Sequence, residues 1–261
     1  MIRAATLEDL PLIRQILSSS DAPYDAAAVA EEKCFGRGID GEPETLLAED
    51  KAVAVRCGGY LRLLCVAREH RRQGIGSELL RRLAPRVIAA EPGNYFTPGV
   101  LDSDHGSIAF LERHGFAPGT SSWNLHASLS GGQAILPVPG DRTGRIACPP
   151  QNLLLDFVER EFGAVWRFEA ARGAACFWIP DVAFAVVEAN NRGLGTFGPA
   201  GVVEKMRGRG HGREVLLAAL SYLRARGFTR AVIPWTGAIE FYRRSCGAEP
   251  AHRFVTYTSR P

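Results

Sequence analysis

The chain has 261 residues, 46% of them hydrophobic, which is enough for one large domain or two small ones with ordinary apolar cores. A formal charge of only +3, with 31 basic residues against 28 acidic ones, argues against a general nucleic-acid partner, and the near-absence of lysine (Lys33, Lys51 and Lys205) reads as compositional bias. Six cysteines without a C-x-x-C pair give neither a zinc site nor a disulfide framework, and no apolar run is long enough to span a membrane, so a cytoplasmic protein with reduced thiols is expected.

In chain order, Ile2 to Ala5 reads as a short strand and Thr6-Leu7-Glu8-Asp9 as the cap of a helix carrying Leu10, Leu12, Ile13, Ile16 and Leu17 at helical spacing. Apolar runs at Leu46 to Ala48, Ala52 to Val55 and Leu61 to Ala67, separated by Glu49-Asp50-Lys51 and Gly58-Gly59, predict an antiparallel meander. A helix with Leu79, Leu80, Leu83 and Val87 on one face follows, kinked or ended by Pro85. Asn94 to Val100 reads as a weaker strand, and Ser107 to His114 as a short helix stopped by Gly115. From Ser128 to Pro150 the composition turns to Gly, Pro and Ser, which places a linker at 131–150 between domains 1–130 and 151–261. The order of elements then repeats. Asn152 to Phe162 reads as a helix; Ala164 to Glu169, Ala175 to Ile179 and Val182 to Ala189 read as strands; Phe197 to Val203 leads into a second glycine loop. A helix with Leu216, Ala219, Leu220 and Leu223, a strand Arg230 to Trp235, a helix Ala238 to Arg244 and a last strand Arg253 to Thr258 complete the copy.

The two glycine loops carry the chemistry. Arg71-Arg72-Gln73-Gly74-Ile75-Gly76 and Arg207-Gly208-Arg209-Gly210-His211-Gly212 each follow a strand and open an apolar-faced helix, and Gly210 lies 136 residues after Gly74. Glycine lets the backbone turn its N–H groups toward a ligand, and the helix that follows adds unpaired amides and a positive dipole end, a combination suited to a diphosphate. A single match arises readily by chance in a chain this rich in Gly and Arg; two in matching contexts do not. Neither loop has the lysine of a P-loop, and Leu79 and Val215 stand where a dinucleotide fingerprint needs a small residue.

With their flanks, Val66-Ala67-Arg68-Glu69-His70-Arg71 and Val202-Val203-Glu204-Lys205-Met206-Arg207, these loops resemble the R/Q-x-x-G-x-G/A loop of the GNAT superfamily of N-acyltransferases. The resemblance covers nearly the whole chain as tandem copies, a layout similar to that of mycothiol synthase. It implies two mixed α/β acyl-CoA N-acyltransferase-like domains, each a mostly antiparallel sheet flanked by helices and splayed at the fourth strand. It also implies acetyl-coenzyme A as cofactor and a small-molecule or peptide amine as substrate, while charge and hydropathy already argue against nucleic acid and membrane as partners. The residues implied to bind the cofactor are Val66, Arg71, Arg72, Gln73, Gly74, Ile75, Gly76 and Ser77 in the first copy. In the second they are Val202, Arg207, Gly208, Arg209, Gly210, His211, Gly212 and Arg213.

An amine attacks a thioester only when neutral, and a thiolate must leave, so such a site needs a base and an acid. Family members commonly supply the acid as a tyrosine on the short helix after the fifth strand, where Tyr242 stands in the second copy and Leu111 in the first. The second domain is therefore expected to be catalytic, with Tyr242 as acid and Glu188 as first candidate base ahead of Glu169. The alternative is a non-catalytic acyl-CoA sensor or partner-binding protein. His70 and His211 are read as solvated loop residues, Cys65 as a buried strand thiol, and Trp123, Trp166, Trp178 and Trp235 as core. Pocket residues for the acceptor are sought at Asp21 to Asp40 and Gly163 to Arg172.

Overall fold

The computed structural model describes residues 1–130 and 151–260, so the expected linker at 131–150 lies outside the described residues. Its contacts fall into two units, Met1–Ser122 together with the chain from His252 onward, and Trp123–Ala251.

In the first unit β1 (Ile2–Ala4) is followed by a 3-10 turn, in which the Thr6 N–H donates to Asp9 Oδ2 at 2.9 Å, and by α1 (Leu10–Leu17), whose buried stripe is Ile13, Ile16 and Leu17. The short α2 (Ala30–Phe35) leads to the expected meander, β2 (Glu44–Ala48), β3 (Ala52–Cys57) and β4 (Tyr60–Val66). The β3–β4 turn needs only Gly58 and Gly59, the former at φ 53°, which glycine adopts without strain. After the first glycine loop, α3 (Ile75–Leu83) stops before Pro85 and lays Leu79, Leu80 and Leu83 on Ala52, Ala54 and Leu61.

The fifth strand is interrupted. β5 (Val87–Ile88) and β6 (Val100–Leu101) are separated by residues 89–99, which leave the sheet as a largely buried excursion, and α4 (His105–Arg113) and β7 (Phe116–Ser128) follow. The expected strand over Asn94 to Val100 is thus limited to its last residue, because Asn94 is tied elsewhere by side-chain hydrogen bonds to Glu32, Gly36 and Arg37 carbonyls.

The second unit begins on the latter half of β7 and continues as α5 (Gln151–Phe162), α6 (Ala164–Arg172), β8 (Ala175–Ile179), β9 (Ala183–Val187), β10 (Phe197–Val202), α7 (His211–Ala225), β11 (Arg230–Thr236), α8 (Ile239–Cys246) and β12 (Glu249–Ser259). Ala164 to Glu169 is helix, not strand. Its Ala, Arg and Glu favour helix, and the helical turn stacks Trp166 on Phe162 at 5.5 Å and sets it 6.0 Å from Phe184. β8, β9 and β10 form an antiparallel sheet, and β11 pairs antiparallel with β7 from Arg230↔Ser128 to Thr236↔Trp123. The end of β12 belongs to the first unit: Tyr257 pairs with Ile88 and Phe254 with Leu101, so the first unit's strand order is β1-β2-β3-β4-β5-β12-β7. The described residues hold no helix long and apolar enough to cross a membrane.

Candidate acyl-donor site

The splay that admits a ligand comes from a short pairing. β4 and β5 run parallel and pair only at Tyr60↔Val87 and Leu61↔Ile88, so Leu63 to Val66 diverge from the neighbouring strand. The second unit repeats this, with a single parallel bridge at Thr196↔Val232 before β10 and β11 part.

Both loops fold alike. Val66 and Val202 end their strands, a 3-10 turn follows, and Arg71 and Arg207 take nearly the same extended backbone, φ −68° and −65°. The Arg71 Nε–H donates to the Val66 carbonyl at 3.1 Å and the Arg207 Nε–H to the Val202 carbonyl at 3.4 Å, so each arginine folds its loop back on the strand before it. Arg72 and Gly208 share a left-handed backbone, φ 63° and 77°; glycine bears this freely, whereas the arginine is strained. Gly74 and Gly210 cap α3 and α7 in left-handed conformation, φ 81° and 86°, with no side-chain cap on either helix. The first-turn amides, Ile75-Gly76-Ser77 and His211-Gly212-Arg213, therefore have no intrahelical acceptor. A Cβ on Gly76 would lie 3.5 Å from Val66 and 3.6 Å from Phe110; one on Gly212 would lie 3.2 Å from Val202 and 3.4 Å from Phe241. Absence of side chains thus leaves open a cradle walled by a strand valine and a helix phenylalanine, twice over.

A cleft of about 750 Å³ lies wholly in the first unit. It joins the diverging edge of β4, the cradle residues Arg71, Arg72 and Gly74 to Ser77, the start of α4, and part of the β5–β6 excursion. Gln73 projects outward, its amide donating to the Glu69 carbonyl at 3.3 Å. Beside the cradle, Asp21 accepts from Arg71 Nη1 and Arg68 Nη2, both at 2.5 Å, and these arginines hold its carboxyl below the usual carboxylate range. Cys65 lines the cleft with its Sγ 3.6 Å from the Ile16 carbonyl, and burial pushes the thiol up. His70 also lines the cleft, whereas His211 is buried with Nδ1 3.5 Å from Glu214.

The floor of the cleft rests on a buried polar network that the motif search missed. Arg62, on β4, is fully buried and pairs through Nε and Nη2 with the equally buried Glu91, while its Nη1 donates to the carbonyls of Lys33 (3.0 Å) and Gly36 (2.7 Å). Buried Lys33 donates to Glu32 and Asn94 at 2.7 and 2.8 Å. A charge inside an apolar strand (Arg62) and a carboxylate amid Gly and Pro (Glu91) were the available signals, but their pairing spans a segment that reads as loop.

The two contacts to the cradle glycines bring Phe110 and Phe241 into register, and with them Leu111 and Tyr242. Leu111 is buried on the α3 core. Tyr242 packs on the second unit's core, its ring 6.1 Å from Phe197 and 5.0 Å from Phe241, and burial pushes its phenol up to about 12. The Glu188 carboxylate is buried and accepts from the N–H groups of Gly193 and Thr196, the latter at 2.9 Å, and from the Thr196 hydroxyl at 3.5 Å, which braces the loop between β9 and β10. Glu169 lies on α6 and accepts from Asn190 at 3.1 Å. Trp123, Trp166 and Trp178 pack against cores, whereas Trp235 is 41% exposed at φ 52°.

Two regions, 28–116 and 152–248, match the acetyltransferase (GNAT) family, and together they cover most of the chain. The chain belongs to this family, in which acyl-coenzyme A is the general donor, and carries its domain in tandem. No curated protein matches it. Among solved structures it is similar to a GCN5-related N-acetyltransferase from Sphaerobacter thermophilus (TM-score 0.67, 19% identity, 100% of this chain and 96% of that one). A tandem GNAT protein from the clavulanic acid biosynthesis pathway is comparable (TM-score 0.69, 16% identity, 99% and 98%). So is a GCN5-related glucosamine N-acetyltransferase region of a fungal multi-domain GH3 β-N-acetylglucosaminidase (TM-score 0.70, 17% identity), where the match takes 98% of this chain but spans only 38% of that protein.

Proposed function

We propose that the protein moves an acetyl group from acetyl-coenzyme A to a primary amine by direct attack while both are bound, and that the donor lies in the first-unit cleft. The observation that carries this reading is the continuity of that cleft from the uncapped amides of Ile75 to Ser77 to the unpaired edge of β4. The donor supplies the electrophile as a thioester. Around it the amides of Gly74 to Ser77 bind the diphosphate, Arg71 and Arg72 add positive charge, and the Val66 segment, freed from β5, offers its backbone to the thioester oxygen. Leu111 offers no proton to the leaving thiolate. The attacking nitrogen becomes cationic as it bonds to carbon, and its surplus proton balances the reaction when it passes to sulfur.

Tyr242 and Glu188 are the proposed acid and base only for a donor held by Arg207 to Arg213 in the second cradle. Their packing speaks for structural work. A second reading, an acyl-CoA sensor without turnover, draws on one feature, the leucine at position 111. Calorimetric titration with acetyl-coenzyme A separates these readings. Gly76→Glu places a carboxylate in the first cradle and should weaken binding by on the order of a hundredfold, while Gly212→Glu leaves the first site intact. If Gly212→Glu abolishes binding and Gly76→Glu does not, the donor belongs to the second unit. Release of free thiol over a panel of amines then distinguishes an enzyme from a sensor.

A further inference from the structure

We infer that His114 positions the Ser77 hydroxyl, and that it takes up one proton when a diphosphate enters the first cradle. This rests on the reading of the first cleft as the acyl-coenzyme A site. His114 follows α4, half-buried, with Nδ1 2.7 Å from the Phe110 carbonyl and Nε2 2.9 Å from Ser77 Oγ. A carbonyl only accepts, so Nδ1 carries a proton. In the neutral ring Nε2 is then an acceptor, and the Ser77 O–H must donate to it. Only the lone pairs of Ser77 Oγ are left for the cleft that this residue lines, and they repel a phosphate oxygen.

A second proton, taken from solvent onto Nε2, reverses this bond. Nε2–H donates to Ser77 Oγ, the hydroxyl hydrogen turns to the phosphate, and the imidazolium adds a positive charge behind it. Proton and anion therefore favour each other's binding. Phe110 holds the ring in place, its own ring tilted 42° at 4.4 Å, and is the same side chain that walls the cradle at Gly76.

The neighbouring charges are committed elsewhere or lie beside the ring in sequence. On α3, Glu78 pairs with Arg81 and Arg82; on α4, Glu112 and Arg113 flank His114; on the β12 side stand Tyr257 and Arg260, the latter donating its backbone N–H to Gly115 at 2.9 Å. Among the described residues none of these side chains hydrogen-bonds the imidazole. The second cradle lacks this device, because Arg213 occupies the position of Ser77 and is a permanent cation.

The test is calorimetry of coenzyme A binding to the full chain at about pH 7, in two buffers of different ionisation enthalpy, which counts the protons exchanged. The wild type should take up protons. His114→Gln presents a permanent N–H to Ser77, so it should bind within about threefold of wild type without that uptake, and His114→Leu, which frees the Ser77 hydroxyl to turn toward the phosphate, should likewise take up no proton. Uptake unchanged in His114→Gln or in His114→Leu overturns the inference. The nitrogen chemical shifts of His114 in the wild-type protein give a check that needs no variant: coenzyme A should convert the Nδ1–H tautomer to the doubly protonated ring, and a ring still neutral in the complex refutes it. A wild type that binds no coenzyme A would instead bring down the donor reading, and this inference with it.

Discussion

Phe110 and Phe241 each lie against a cradle glycine, and the side chain after each is one chemical difference between the two copies: leucine in one, tyrosine in the other. Position alone does not make Tyr242 an acid; its ring packs on Phe197 and Phe241, and the role of its hydroxyl is a matter for turnover. With the donor in the first cleft, Tyr242→Phe should keep kcat within about twofold, and a fall of roughly a hundredfold in steady-state turnover would place the chemistry in the second unit. The phenol's shift gives a separate expectation. Its pKa stands near 12 in the folded protein and about 10 in the unfolded chain, so between those values only the unfolded chain releases the proton. This contribution to stability is full below about pH 10 and declines as the pH rises toward 12; Tyr242→Phe should flatten that decline in thermal melts. The sequence pattern located this tyrosine but not its surroundings. Likewise Glu188 stands at a strand end as expected, yet the amides that occupy its carboxylate belong to a turn formed five to eight residues later.

At the scale of elements, the meander, the two cradle helices and their glycine entries were legible because each depends on neighbours a few residues away: Gly58 for a two-residue turn, Gly74 and Gly210 for left-handed helix entry, Pro85 for a helix end. The β5–β6 excursion was not legible. On β12 only Thr256 separates the partners of Val100 and Ile88, so residues 89–99 are extruded from one continuous pairing and held by Arg62 and Lys33 from distant elements. Arg62→Met would strand the buried Glu91 carboxylate and should cost about 3–5 kcal/mol in urea denaturation. The double substitution Arg62→Met with Glu91→Met should recover part of that loss, since burying two apolar chains strands no charge. The Ala164 to Glu169 helix illustrates the opposite failure: a short apolar run compatible with either period, decided by stacking of Trp166 on Phe162.

For the whole molecule, the consequential feature is the strand exchange at the chain's end. Phe254 and Tyr257 are buried in the first unit, and β12 stands between β5 and β7 there. A chain stopped after Ala251 would therefore lose a central strand of the unit that bears the cleft. It should fail to bind acetyl-coenzyme A and should melt without its first cooperative transition, which calorimetry would show. The sequence by itself determined that there are two cradles and which family they belong to, because a loop and the helix it opens are built from consecutive residues whose φ angles and apolar spacing are set locally. Tertiary structure alone decided which strand completes which sheet, that the first cradle opens on a cleft and which side chains pack against Tyr242. These depend on pairings such as Tyr257 with Ile88, whose partners lie far apart along the chain and leave no periodic signal in either segment.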